Sequence, residues 1–227
     1  MYNFFHIILE SGLVFGKIEY LNLLPFHVFM KRFTKSSQQS MSMHYKKGVP
    51  SKINEKFLSR RVDAAFISSI AARKHPNVDL GIIAKKEVLS VLVIPNANNI
   101  SDNESATSNV LAKILNIQGE VIIGDKAFKY HLENKPYIDL AKEWNKRHKT
   151  PFVFALLCYH KEKNTYKNIQ KNFLKRKIKI PQYILEQASI RTNISKENIL
   201  SYLELISYDL DNKAKLGLKK FYNKVDF

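Results

Sequence analysis

Four groups of neutral polar side chains stand at strand ends or helix starts: Asn22, the pair Ser68 and Ser69, Ser90, and the cluster Ser105, Thr107 and Ser108. Asn22 follows the run Gly16-Lys17-Ile18-Glu19-Tyr20-Leu21 and precedes Pro25, which starts a helix. An amide at the end of a strand and just before a helix sits where open α/β sheets hold their ligands, and it can both donate and accept. Taken alone, it serves its own turn equally well. Ser105 reads as a helix N-cap, which puts Thr107 and Ser108 in the first turn. Free backbone N–H groups and the helix dipole favour an anion there, so the pocket could take a carboxylate without an arginine. Capping alone also accounts for Ser-x-Thr-Ser. Ser90 is flanked by Val88, Leu89, Val91 and Leu92. A hydroxyl in a buried strand requires a partner, and a bound ligand is one candidate.

Gly124-Asp125 stops the run Val121-Ile122-Ile123 and adds two candidate substrate-binding positions at a strand end. A role in the turn itself is the plainer reading of Asp125. Other chemistries find no pattern. The seven histidines show no His-Glu-x-x-His spacing, and a single cysteine makes no Cys-rich zinc site. Neither a dinucleotide glycine loop nor a Gly-x-Ser-x-Gly elbow is present. The expectation is therefore no metal and no cofactor.

The elements that must position these groups alternate between short strands and helices, which argues for an α/β fold. Expected strands are Val14–Leu21, Val62–Ile67, Val88–Ile94, Val121–Ile123 and Phe152–Tyr159. Expected helices run over Phe26–Phe33, Lys52–Arg60 (capped by Ser51), Ser105–Leu115 and Ile138–His148. The C-terminal third reads as helices only, one opened by Pro181 and one capped by Ser195 between the staple residues Ile194 and Ile199. This order suggests two lobes with a ligand cleft between them. Residues 1–88 and 158–227 form the first lobe, and 89–157 the second.

At 227 residues the chain is long enough for such cores. Its net charge of +17 invites a nucleic-acid reading. The lysines are spread out, however, and the dense stretch Lys161 to Lys179 carries Ile169, Phe173 and Leu174 at helical spacing. A solvated helix face explains it, so no nucleic-acid partner is expected. The positive field could draw in a small anion, and a lysine-rich composition without functional meaning explains it as well. Cys158 lies in an apolar run and reads as a buried thiol of a reducing compartment. The first dozen residues lack a basic start and a small-x-small pattern, so they read as a peripheral extension rather than a signal peptide. No run nears the ~18 apolar residues of a membrane span. A cytoplasmic protein without a membrane partner is expected. These residues reach a small-anion-binding α/β protein and do not separate a binder from an enzyme.

An ordered set of short motifs goes further. It comprises Gly16 to Phe26, Val49-Pro50-Ser51-Lys52-Ile53-Asn54, Val62 to Ser69, Val88 to Val93, Ser105 to Ser108, Val121 to Ala127, and Ile138 to Trp144 continuing to Pro151-Phe152-Val153-Phe154-Ala155. Together these resemble the chorismate dehydratases of the futalosine route to menaquinone. The resemblance covers residue 16 to about 160 and implies a type II periplasmic-binding-protein-like fold with a helical C-terminus. It also implies loss of water from chorismate, giving 3-[(1-carboxyvinyl)oxy]benzoate, with the substrate's enolpyruvyl carboxylate as base. The family's Asn and Ser fall on Asn22 and Ser90 as the catalytic pair. Ser68, Ser69, Ser105, Thr107, Ser108, Gly124 and Asp125 would bind substrate. The rival is a non-catalytic binder of a small carboxylate, which would bind chorismate without forming an aromatic product. The pathway's 1,4-dihydroxy-6-naphthoate-forming enzyme starts with a Ser-Pro-Cys-x-Asn-like motif that this chain lacks.

Overall fold

The structure is a computed structural model that describes residues 12–36 and 43–225. The expected peripheral extension lies almost wholly outside the described residues. The chain runs β1 (Leu13–Lys17), a single 3-10 turn (Leu21–Leu23), α1 (Leu24–Ser36), β2 (Met43–Lys47), α2 (Pro50–Leu58), β3 (Ala64–Ser68) and α3 (Ser69–Ala72). It continues with β4 (Asn77–Ala84), β5 (Val91–Ile94), α4 (Ala106–Ile114), β6 (Glu120–Ile123), α5 (Gly124–Leu132), β7 (Ile138–Asp139) and α6 (Leu140–His148). The last elements are β8 (Phe152–Tyr159), α7 (Lys163–Leu174), α8 (Gln182–Thr192), α9 (Lys196–Glu204), β9 (Ile206–Asp209) and α10 (Asn212–Tyr222).

Two sheets result. Six strands pair in the order β2-β1-β3-β8-β4-β9, and three pair in the order β6-β5-β7. β8 is antiparallel to both β3 and β4, so it sits at the centre of the larger sheet and is buried along almost its whole length. The chain leaves the larger sheet after Ala84 and regains it at Phe152. All of β8, Phe152 to Tyr159, lies in that sheet. Aromatic rings fill the core of the larger sheet: Phe26 stands edge-on to Phe66 at 5.0 Å and to Phe173 at 5.3 Å. Trp144 packs against Phe152 and Phe221 and donates its indole N–H to Thr150.

Several expected boundaries move. α2 begins at Pro50 with Val49 as its N-cap, so Ser51 lies inside the first turn instead of capping it. β1 ends at Lys17, and the strand expected over Val88–Ile94 starts only at Val91. α6 starts at Leu140, after the two-residue strand β7. β4 has no counterpart among the expected strands, for Asp79 takes a left-handed φ of 56° and a register shift breaks the alternation there. The C-terminal third is not helices only, since β9 pairs with β4 as an edge strand of four residues. Among the described residues no helix is long and apolar enough to cross a membrane.

His27 ties α1 back to the chain before it, donating from Nε2 to the Ile18 carbonyl at 2.7 Å. Burial lowers its pKa from the usual 6.5 to about 4. The unfolded chain therefore takes up this proton first, and stability present above pH 6.5 is lost as the pH falls towards about 4. His27→Gln should flatten that part of the profile, read as the urea midpoint against pH. An unchanged slope would exclude His27 as its source.

Candidate active site

The turn before Ser90 is held by a carboxylate from the smaller sheet. Asp139 Oδ2 accepts the N–H groups of Val88 at 2.9 Å and Leu89 at 2.7 Å, while its Oδ1 caps α6 through Lys142 N–H. Leu89 takes a left-handed φ of 58°, a conformation that costs a non-glycine residue energy and persists only when its surroundings enforce it. Burial raises the Asp139 pKa, and the backbone N–H groups of Leu89, Lys142, Val88 and Ala141 oppose that shift by favouring the carboxylate. Ser90 follows at once, almost fully buried. Its carbonyl accepts Gly124 N–H at 2.8 Å, and its hydroxyl oxygen accepts the Tyr202 phenol at 2.8 Å.

Asn22 lies in the 3-10 turn rather than at a strand end. The turn is pinned from both sides. Asp125 Oδ1 accepts Leu21 N–H at 2.9 Å, and the Tyr208 phenol donates to the Asn22 carbonyl at 2.6 Å. The Asn22 side chain has no hydrogen bond to another described residue, which leaves its amide for a ligand.

Asn22 and Ser90 line one narrow cavity of about 80 Å³ with Ser68, Ser105, Ser108 and Gly124, over an apolar wall that includes Phe66 and Phe154. The hydroxyls share a pattern. Ser68 Oγ accepts from Asn54 Nδ2 at 3.1 Å and from Ala71 N–H at 3.4 Å, and Ser108 Oγ accepts from Ser105 at 2.7 Å. Ser90 accepts from Tyr202. With these oxygens already engaged as acceptors, each of Ser68, Ser90 and Ser108 keeps its own hydrogen to donate. A cavity lined this way suits carboxylate oxygens.

Three candidates stand outside it. Ser69 is fully buried and donates to the Val153 carbonyl at 2.5 Å, and Thr107 Oγ1 accepts Ile70 N–H at 3.2 Å. Asp125 holds Leu21 and pairs with Arg191 at 2.9 Å, and burial raises its pKa against the pull of both partners. All three act as supports.

Sequence reading missed Tyr20, Glu104, Tyr202 and Tyr208. The Tyr20 phenol donates to Glu104 across the cavity, and both residues line it. Gly124 makes room for the tyrosine: at its φ of +69°, a Cβ would stand 2.6 Å from the Tyr20 ring. Burial, with Glu104 next in effect, raises the Tyr20 pKa, so its phenol stays protonated. A wider groove of about 510 Å³ lies beyond Tyr20, and no candidate site residue lines it.

Comparison with known proteins fits this geometry. A family model described as menaquinone biosynthesis matches residues 13–120 and 115–226. A chorismate dehydratase of Campylobacter jejuni is 47% identical over 213 residues, covering 92% of this chain and 96% of that protein. Another, from Thermus thermophilus, is 22% identical over 260 residues, with 92% and 93% covered. Among solved structures, an Archaeoglobus fulgidus protein aligns with a TM-score of 0.70 at 11% identity, over 94% of this chain and 96% of that one. The alkanesulfonate-binding protein of Xanthomonas axonopodis pv. citri, bound to MOPS, aligns at 0.58 and 10% identity, over 94% and 93%. A Candida albicans protein described as having the generic periplasmic binding protein fold aligns at 0.53 and 13% identity, over 95% and 92%. The fold is therefore α/β of the periplasmic-binding-protein type, and the chain belongs to the menaquinone biosynthesis family.

Proposed function

We propose that this chain is a hydro-lyase that converts chorismate to 3-[(1-carboxyvinyl)oxy]benzoate and water, the first step of the futalosine route to menaquinone. The observation that carries the reading is the 47% identity to a chorismate dehydratase across nearly the whole of both chains. The donor-lined cavity supports it, because the substrate carries two carboxylates. The two sheets are the cores of two lobes, joined near residues 85–90 and 149–151. A cytoplasmic location suits a biosynthetic enzyme with a buried free thiol.

In this mechanism Ser68 and Ser108 hold carboxylate oxygens, and Ser105 aims Ser108 by donating to its oxygen. Asn22 and Ser90 orient the ring so that the enolpyruvyl carboxylate reaches the hydrogen on the carbon bearing the ether. That proton moves to the carboxylate, the C–H electron pair forms a ring double bond, and hydroxide leaves the neighbouring carbon. Proton and hydroxide together make the water lost, and the ring becomes aromatic. Fixed neutral donors stabilise the charge that develops during departure. No oxidation or reduction occurs, so the step needs no oxidant or reductant.

Glu104 supports a second reading of the base, since its carboxylate lines the cavity. The phenol of Tyr20 already donates to it, which engages one of its oxygens and favours the substrate's own carboxylate. Purified protein mixed with chorismate should form an aromatic product lighter by one water, followed by ultraviolet absorbance and product mass. Asn22→Asp and Ser90→Ala should each lower turnover by more than about 100-fold without unfolding the protein. Full activity in both would remove the assignment, and binding without product would favour the non-catalytic rival. Glu104→Gln should keep at least about a tenth of turnover, whereas a loss beyond about 100-fold would transfer the base role to Glu104. Gly124→Ala should push Tyr20 aside, costing about 1–3 kcal/mol in urea denaturation and lowering kcat/KM. Wild-type values for both would mean that the ring does not need the space.

A further inference from the structure

Ser90 is fixed through its carbonyl, which accepts Gly124 N–H, and through the turn before it, where Asp139 holds Val88 and Leu89, but neither contact sets the direction of its hydroxyl hydrogen. Among the described residues, the Tyr202 phenol is the side-chain partner of Ser90 Oγ. Tyr202 stands on α9, 112 residues away, and its ring stacks on Phe128 at 4.5 Å, so the phenol is aimed by packing. Both hydroxyls are buried. A phenol is a stronger acid than a serine hydroxyl, and burial keeps this one protonated, so Tyr202 donates and Ser90 accepts. The hydrogen of Ser90 must then point elsewhere, and the open direction is the cavity it lines. The next element repeats the device, since Tyr208 on β9 donates to the carbonyl of Asn22.

We propose that Tyr202 is a positioning residue for the dehydration: by donating to Ser90 Oγ it commits the Ser90 hydrogen to the substrate. This rests on the reading that Ser90 contacts chorismate. Without the phenol, Ser90 can turn its hydrogen away from the cavity, and each turnover must first reorient it. The effect belongs in kcat more than in KM, because the remaining donors still hold the substrate's carboxylates.

Tyr202→Phe keeps the ring and its stack. It should lower kcat by about 10- to 100-fold, the usual scale for a residue that supports a site from behind, with KM within about threefold. Ser90→Ala and the double variant Ser90→Ala/Tyr202→Phe complete a cycle. If Tyr202 acts through Ser90, the double variant is no slower than Ser90→Ala alone. A merely structural tyrosine would slow both backgrounds equally, and that result, or a kcat within twofold of wild type in Tyr202→Phe, would overturn the proposal. Wild-type turnover in Ser90→Ala would overturn the underlying reading of the site instead. Should Tyr202→Phe fail to fold, 3-fluorotyrosine at position 202 keeps the bond and sharpens the donor. A kcat changed by at least twofold would then support the proposal, and an unchanged kcat would overturn it.

Discussion

The candidate site depends on the bonds that Val88 and Leu89 N–H donate to Asp139. They fall where the chain passes from the larger sheet to the smaller, and they hold Leu89 in a left-handed conformation it would otherwise avoid. The same carboxylate caps α6, so one buried group joins a helix start to the crossing segment. Ser90 inherits its position from this arrangement. If the turn relaxed, its carbonyl would lose Gly124, its hydroxyl would leave Tyr202, and one wall of the cavity would go with them.

The cavity differs from many anion sites in what supplies the positive potential. Arg191 lies outside its lining and is committed to Asp125, and the lining contains Glu104 but no lysine or arginine. Attraction comes instead from hydroxyl hydrogens whose oxygens are already engaged. Neutral donors of this kind are fixed by geometry and barely respond to salt, whereas the many surface lysines act on an anion only over the range of the Debye length. Capture and orientation are thus divided between the outer field and the inner donors.

Much of the site could be read from local sequence, because a hydroxyl or amide at the end of an apolar run has few places to point. Asn22, Ser68, Ser90, Ser105 and Ser108 all reach the cavity by that logic, and the ordered motifs from residue 16 to about 160 identified the fold. Ser69, Thr107 and Asp125 looked the same in the sequence and are drawn away by partners 84, 37 and 104 residues distant. Glu104 sat in a polar interval without periodicity, where nothing local distinguished a cavity carboxylate from a solvated one. Tyr202 and Tyr208 were hidden for a stronger reason: their partners lie 112 and 186 residues away. β9 was too short and too polar to show a strand period, and its identity rests on pairing with β4.

The two phenols also bear on the order in which the molecule becomes competent during synthesis. Every residue that lines the cavity lies between Ile18 and Ala155, so all of them are made before α9 and β9. The groups that aim Ser90 and anchor Asn22 emerge only with α9 and β9. A chain extended only to residue 190 would contain every lining residue of the cavity, while its two central groups would still lack their tyrosine partners. Completion of the last few dozen residues is then the event that supplies the tyrosine partners of Ser90 and Asn22.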